Sequence, residues 1–183
     1  DIESSLHEVQ QEQGIVHIGY GGKIYPHWGV EELILWTEEF VRRGLKICVH
    51  IAMAKMYNDA EFIQHMKTLL ALPHVKVYKG LDRTETMSLM RSMDYAWCWR
   101  EATFEETTLE ISMKLIENAA LGVPCICYPS RVNIHVLGKE YGFFCKDKND
   151  VLNLLQKNII KDDSYIISTT NLSQFKYSMI KIV

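Results

Sequence analysis

From residue 15 onward, short apolar runs alternate with longer amphipathic stretches, and that alternation restricts the chain to one class of fold. The runs 15–19 (IVHIG), 45–53 (LKICVHIAM), 75–79 (VKVYK), 94–99 (DYAWCW), 124–128 (PCICY) and 142–145 (GFFC) read as six strands. Between the first two, 29–43 carries Val30, Leu33, Ile34, Phe40 and Val41 at helical spacing, with Glu31, Glu32, Glu38 and Glu39 largely on the opposite face. Gly44 stops that helix, and Arg42 and Arg43 fall in its last turn, where the helix dipole favours cations. Further helices are expected over 59–72, 83–93 (with Thr84 as a cap), 112–121 (ended by Gly122), 147–160 and 171–182, with a helical turn over 131–137. Residues 1–13 are polar and read as a linker or frayed lead-in, leaving 14–183 as the domain. Six strands separated by helices mean βα repeats, so the expectation is an α/β, Rossmann-like, doubly wound parallel sheet of about six strands with helices on both faces. Ligands of such sheets bind outside the carboxyl ends of the strands, which directs attention to 19–28, 53–58, 79–82, 99–112 and 129–135.

Composition agrees and narrows the function classes. Among 183 residues, 48% are apolar and 23% charged, which excludes a disordered, collagenous or fibrous chain. One domain of this length buries roughly 70% of its unfolded surface and needs no disulfide or zinc staple. The charge, 20 − 23 = −3, argues against nucleic acid as a partner, since duplex binding shows as a basic face. Cys48, Cys98, Cys125, Cys127 and Cys145 include no C-x-x-C pair and sit in or beside apolar runs, so they read as reduced core thiols of a cytoplasmic protein. No two of the seven histidines lie three to five apart, so no zinc signature appears and no metal is expected. No apolar run reaches the ~18 residues of a membrane span, and no signal peptide opens the chain. The chain begins with Asp1 and not Met, which reads as a piece of a longer protein.

Two segments have the makings of a phosphate site. The first strand runs into Gly19-Tyr20-Gly21-Gly22-Lys23, where glycines admit close backbone approach and Lys23 supplies a point charge. The spacing is neither G-x-G-x-x-G nor a P-loop, and a plain βα turn explains it equally well. The second segment runs from Glu110 to Pro124. Ser112 is a good N-cap there, so the free N–H groups of the following helix open toward the fourth-strand loop and attract anions. Lys114 in the first turn opposes the helix dipole, which makes sense beside an anion. Glu117, three residues on, can accept two hydrogen bonds from a vicinal diol, although a Lys114–Glu117 surface pair accounts for it as well.

This second segment resembles the donor-binding signature of retaining, nucleotide-sugar-dependent glycosyltransferases of GT-B fold (glycosyltransferase group 1, or family 4-like). The variant S-x-K-[LI]-x-E-x-x-A-x-G-x-P is met by Ser112, Lys114, Leu115, Glu117, Ala120, Gly122 and Pro124. Residues 75–80 (VKVYKG) resemble the family's strand ending in glycine, 84–99 its helix leading to an Ala-Asp strand, and 19–23 its first phosphate loop. The strand 124–128 and the closing NLSQFKYSMIKIV are similar too, so the likeness covers roughly 14–183. It implies the C-terminal, donor-binding half of a two-domain enzyme whose N-terminal acceptor domain is absent. Glu117 would then bind the ribose hydroxyls, and Gly22, Lys23, Lys114 and the backbone of Ile111, Ser112 and Met113 would meet the diphosphate. The loop starting at Lys79 would meet the base, and Glu110 would be the catalytic candidate beside the sugar. The resemblance further implies a UDP- or GDP-sugar as substrate, no cofactor or metal, a glycan or lipid-linked acceptor in polysaccharide biosynthesis, and no turnover by this half alone. Membrane contact is left to the missing half.

The sequence departs from the family in two places. The family spaces its two glutamates eight apart, which puts Leu109 at the first position and leaves Glu110, or the nearby Glu105 and Glu106, to serve. Its phosphate loop carries Arg and, five residues on, Lys-Gly, whereas this chain has Lys23 and then Trp28-Gly29. Lys55, Lys114 and Arg100 are candidates to replace the missing cation. These departures keep open a non-catalytic domain that lost donor binding, while the shared architecture keeps open a nucleotide-sugar epimerase; a flavodoxin-like domain lacks its flavin loop. Trp97 and Trp99 share one strand face and read as core before sugar stacking, and His17 and His50 read as hydrogen-bonded core histidines. His27 reads as a solvated loop residue, and 128–131 as a turn or as part of a sugar pocket.

Overall fold

The computed structural model describes residues 14–160. The expected last helix over 171–182 lies outside them. The elements run β1 (Val16–Ile24), α1 (Val30–Arg42), β2 (Ile47–Met56), α2 (Ala60–Leu70), β3 (Val75–Lys79), α3 (Arg83–Arg91), β4 (Tyr95–Trp97), α4 (Ala102–Thr107), α5 (Met113–Leu121), β5 (Cys125–Ile126), α6 (Arg131–Leu137) and α7 (Lys148–Ile160). Five parallel strands form one sheet in the order β3-β2-β1-β4-β5. Strand order reverses between β1 and β4, and a crevice opens at such a point.

The two faces of the sheet are packed differently. Ile18, Tyr20, Val49, Ile51, Trp97 and Ile126 point to one face, under Leu33, Ile34 and Phe40 of α1, Met66 of α2 and Val151 and Leu155 of α7. The alternate positions Ala52, Ala96, Cys98, Cys125 and Cys127 are small and lie under Leu89 and Met90 of α3 and Leu115 of α5. Small residues there let α3 approach closely. A Cβ on Gly19 would stand 2.5 Å from Met93 Cγ and 2.9 Å from Met90 Cε, so a larger residue would force these side chains to shift. On the first face Trp36 meets Trp97 and Trp99 edge-on, and both strand indoles are satisfied: Trp97 donates to the Gly29 carbonyl at 2.7 Å and Trp99 to that of Cys145 at 3.0 Å. Both tryptophans are core.

Three expectations are corrected. The sheet has five strands, because the 142–145 segment makes only an isolated bridge between Phe144 and Cys127, and its aromatic rings pack against Tyr141 instead of extending a ladder. The glycine segment 19–23 is strand and not loop. Gly21 and Gly22 pair with Ala52 and Met53, and after a bulge Ile24, wholly buried, anchors the end against Met56. Residues 99–112 contain α4, held by buried Glu105, which pairs with buried Arg100. All five cysteines are buried thiols outside any disulfide, as the apolar runs imply. Among the described residues, no helix is long and apolar enough to cross a membrane.

Candidate functional site

A cavity of about 250 Å³ opens at the carboxyl ends of β1 and β2, walled by Gly21 and Gly22, by Ala52–Ala54, by the first turns of α3 and by Glu117 of α5. Leu81 and Asp82 close it below. The positions follow from the fold, since parallel strands bring their ends to one edge and the helices that follow begin there. Glu117 is half-buried, and its Oε1 accepts from Arg83 Nη2 at 3.0 Å across the gap between α5 and α3. Arg83 is highly exposed and can yield that carboxylate to a ligand.

Lys114 is a second cation near the cavity, against its Gly22 wall. Its Cδ would lie 3.7 Å from a Cβ on Gly22, and its Nζ stands 4.9 Å from the Tyr20 ring centre and 4.6 Å from that of Trp28. Two aromatic faces stabilise the ammonium there, at about 0.5–2 kcal/mol each. Burial pushes the Lys114 pKa down and Arg100 adds to the shift, while Cys98, Glu105 and Glu117 oppose it. Trp28 is held by the turn before α1. Gly29 there has φ 81°, and a Cβ would stand 2.0 Å from the Trp99 carbonyl oxygen, so the backbones of two loops touch at a point only glycine fits. Tyr25 packs beside Trp28, and the positive-φ residue His27, largely exposed, pairs with Glu101.

The N-terminus of α5 is open. Ser112 is the N-cap residue in extended conformation, but its side chain caps nothing and the first turn contains no acid. This combination differs from α2 and α3. Asp59 accepts from the Phe62 N–H, and Asp82 accepts from the Glu85 N–H within a full capping box. The cap of α3 is therefore Asp82 and not Thr84. Ile111 and Met113, beside the open end, are exposed.

The expected residues are thus partly assembled. Gly22, Lys114 and Glu117 come together with the α5 terminus. Lys79 does not join them through its side chain, which lines a separate apolar groove with Met56, Ile63 and Leu70 on the other side of the sheet edge; the residue of that loop in the cavity is Leu81. Lys23 is exposed just past the bulge, opposite Lys55, and its carbonyl accepts from the Tyr20 hydroxyl. Glu110 is exposed on the loop before α5, with its carbonyl 3.4 Å from Arg100 Nη2. Arg100 is withdrawn from any ligand by its ion pair with Glu105, and Glu105 is likewise not a solvated acid. Ser130 caps α6 through the Asn133 N–H at 3.2 Å, so the 128–131 segment is a helix start. Arg83 was the missed residue; the D-R-x-E pattern at 82–85, a capping box with a basic second position, was its signal.

Comparison with known proteins identifies the architecture. No protein-family model matches the chain, and no curated protein does. Solved structures match strongly. A TarM variant from S. aureus, solved with UDP, superposes at a TM-score of 0.65 and 11% identity over 96% of this chain and 34% of that one. The chain has the fold of a GT-B glycosyltransferase C-terminal domain. The C-terminal domain of the group 1 glycosyltransferase LpcC from Francisella tularensis gives 0.62 at 15% identity, covering 91% of this chain and 85% of that one. HepE from Anabaena, solved with UDP and glucose, gives 0.62 at 11% identity, covering 92% and 48%. This GT-B-type chain spans about a third of TarM and about half of HepE, and nearly all of the isolated LpcC domain.

Proposed function

We propose that this domain binds a nucleoside diphosphate sugar and serves as the donor half of a retaining glycosyltransferase. The observation that carries the reading is the uncapped, acid-free N-terminus of α5, with Lys114 in its first turn holding its ammonium against Tyr20 and Trp28, and the Glu117 carboxylate facing the cavity. Bare amides and a desolvated ammonium suit a diphosphate. One carboxylate suits the two hydroxyls of a ribose. The cavity is below the ~300–1,000 Å³ of a complete small-molecule site, as expected where a facing domain supplies the second wall.

In this reading the backbone of Ile111, Ser112 and Met113, together with Gly22, meets the diphosphate, and Lys114 takes the place of the cation that Trp28 displaces. Lys23 acts at longer range, and the backbone from Lys79 to Leu81 meets the base. As the sugar–phosphate bond breaks, negative charge grows on the leaving diphosphate, and the preorganised amides and Lys114 stabilise it without a metal. Glu110 stands at the sugar end. The acceptor, a glycan or lipid-linked sugar, binds the other half of a longer cytoplasmic enzyme, so the domain alone does not turn over. UDP complexes of TarM and HepE support the choice of nucleotide.

Isothermal calorimetry with UDP and GDP tests this directly. Weak, saturable binding that Glu117→Ala removes is the expected result; no heat with either nucleotide at millimolar concentration overturns it. One observation favours a second reading, a binding-only domain: Leu109, where the family has an acid, is 80% exposed and offers no group for chemistry. Transfer from a labelled nucleotide sugar by the longer protein would exclude that reading.

A further inference from the structure

His17 on β1 and Cys48 and His50 on β2 meet on the α3 side of the sheet, toward the amino ends of the strands. His17 and Cys48 are paired across the parallel ladder, and His50 lies one pleat further on the same face. All three are buried, and one ligand atom from each lies within 4.8 Å of the others. His17 Nδ1 is 2.9 Å from His50 Nε2, and His50 Nδ1 is 3.0 Å from the Tyr78 hydroxyl.

Hydrogen bonding does not close this cluster. If the chain donates from His17 to His50 to Tyr78, His17 Nε2 is a buried lone pair; if it runs the other way, Nε2 is a buried N–H. In either case that nitrogen has no partner, and with Nδ1 on a metal it is the N–H form, so the case for a metal rests on the paired nitrogens, His17 Nδ1 and His50 Nε2, and on the Cys48 thiol near them. The chemistry present is a thiol and two imidazoles, the donor set of zinc sites.

We propose that His17, Cys48 and His50 form a buried three-ligand zinc site, separate from the nucleotide site. The two imidazoles need little movement, while Cys48 Sγ, within 4.8 Å of them, closes toward the ~3.5 Å that a shared tetrahedral zinc sets between nitrogen and sulfur. Zinc–nitrogen bonds of about 2.0–2.1 Å at a tetrahedral angle put two nitrogens roughly 3.3 Å apart, so the imidazole pair opens by a few tenths of an ångström. His50 then gives its Nδ1–H to Tyr78, which fixes the tautomer that turns Nε2 to the metal. A thiolate leaves one net positive charge, and the Asp94 carboxylate, which accepts from the His17 backbone N–H at 2.7 Å, lies beside the site to offset it. The half-buried Tyr78 ring is stacked on His50 at the edge of the cluster.

Cobalt(II) and zinc(II) added to the metal-free chain test the proposal. The expected result is one zinc per chain, a thiolate-to-cobalt charge-transfer band that zinc quenches, and loss of that band in Cys48→Ser. Tyr78→Phe should keep the band and weaken zinc binding about tenfold, the range for a group orienting a metal ligand. Should Cys48→Ser not fold by circular dichroism, zinc protection of Cys48 from alkylation in the unaltered chain decides instead. A folded chain that takes up no zinc, a band that survives Cys48→Ser, or alkylation of Cys48 at the same rate with and without zinc would overturn the site.

Discussion

The helices α3 and α5 begin at the same edge of the same sheet face and touch one another, yet their N-termini are built in opposite ways. That of α3 is sealed: Asp82 and Glu85 satisfy each other's backbone N–H groups, and the negative charges complement the helix dipole. That of α5 has no side-chain cap and no acid in its first turn, and it places a lysine where a cation costs energy. Stability alone would favour the first design twice. The contrast supports the proposed reading, in which the α5 terminus takes an anion from solution and α3 forms the wall beside it.

The largest effect expected from breaking this arrangement is at Glu117. In the proposed reading Glu117→Ala removes two charge-assisted hydrogen bonds to the ribose, each about 1.5–3 kcal/mol, and should weaken UDP binding about 100-fold or more by calorimetry. The fold should survive, because the Arg83 pair it also removes is exposed and worth about 0–1 kcal/mol. Next comes Lys114→Met. It deletes the ammonium between Tyr20 and Trp28, and a loss of about 2 kcal/mol, roughly 30-fold in affinity, is expected. The same change should raise the melting temperature, since it removes a charge that burial penalises. Binding that survives both changes would break the comparison.

Two smaller changes sharpen it by exchanging the designs. Ser112→Asp gives α5 an acidic cap like that of α3. It should stabilise the chain by about 0.5–1 kcal/mol while reducing UDP affinity about tenfold through repulsion of the diphosphate. Equal or tighter UDP binding by this variant would contradict an anion at that terminus. Asp82→Ala opens the sealed end, and urea denaturation should show a loss of about 1 kcal/mol, the usual cost of an N-cap.

Much of this site is legible in the sequence and part of it is not, for physical reasons. Strands flanked by helices follow from the apolar periods, because burial of both sheet faces imposes them; β3 matches its expected limits at both ends. The start of α5 after Ser112 is legible because a cap-type residue before an amphipathic run is a local feature, although the Ser112 side chain makes no cap bond and Glu117 pairs with Arg83 instead of Lys114. The end of β1 is not legible. Gly21 and Gly22 suggest a turn, but pairing with β2 and the burial of Ile24 keep them extended, which is a tertiary outcome. Arg100 and Glu105 each read as loop charges, and only α4 brings them together as a buried pair. The His17–Cys48–His50 cluster is invisible for the same reason, since cross-strand register and not spacing assembles it.

The smallest effect is a pH dependence, and its sign follows from Lys114. Burial holds the folded-state pKa of Lys114 below its unfolded value, so between the two values the unfolded chain binds more protons than the folded one. The contribution of this group to stability therefore rises with pH across that window, and at neutral pH its burial costs stability. A bound diphosphate acts in the opposite direction. It favours the ammonium, raises its pKa, and makes binding take up protons as the solution becomes alkaline. UDP affinity should accordingly fall a few-fold from neutral pH upward, at lower pH than an ordinary lysine near 10.4 would require. Calorimetry in buffers of different ionisation heat reads this uptake. Lys114→Arg, always charged, should abolish both the fall and the uptake. If α5 binds anions through its amides alone, the pH dependence will be the same in both chains, and the lysine in its first turn is only a packing residue.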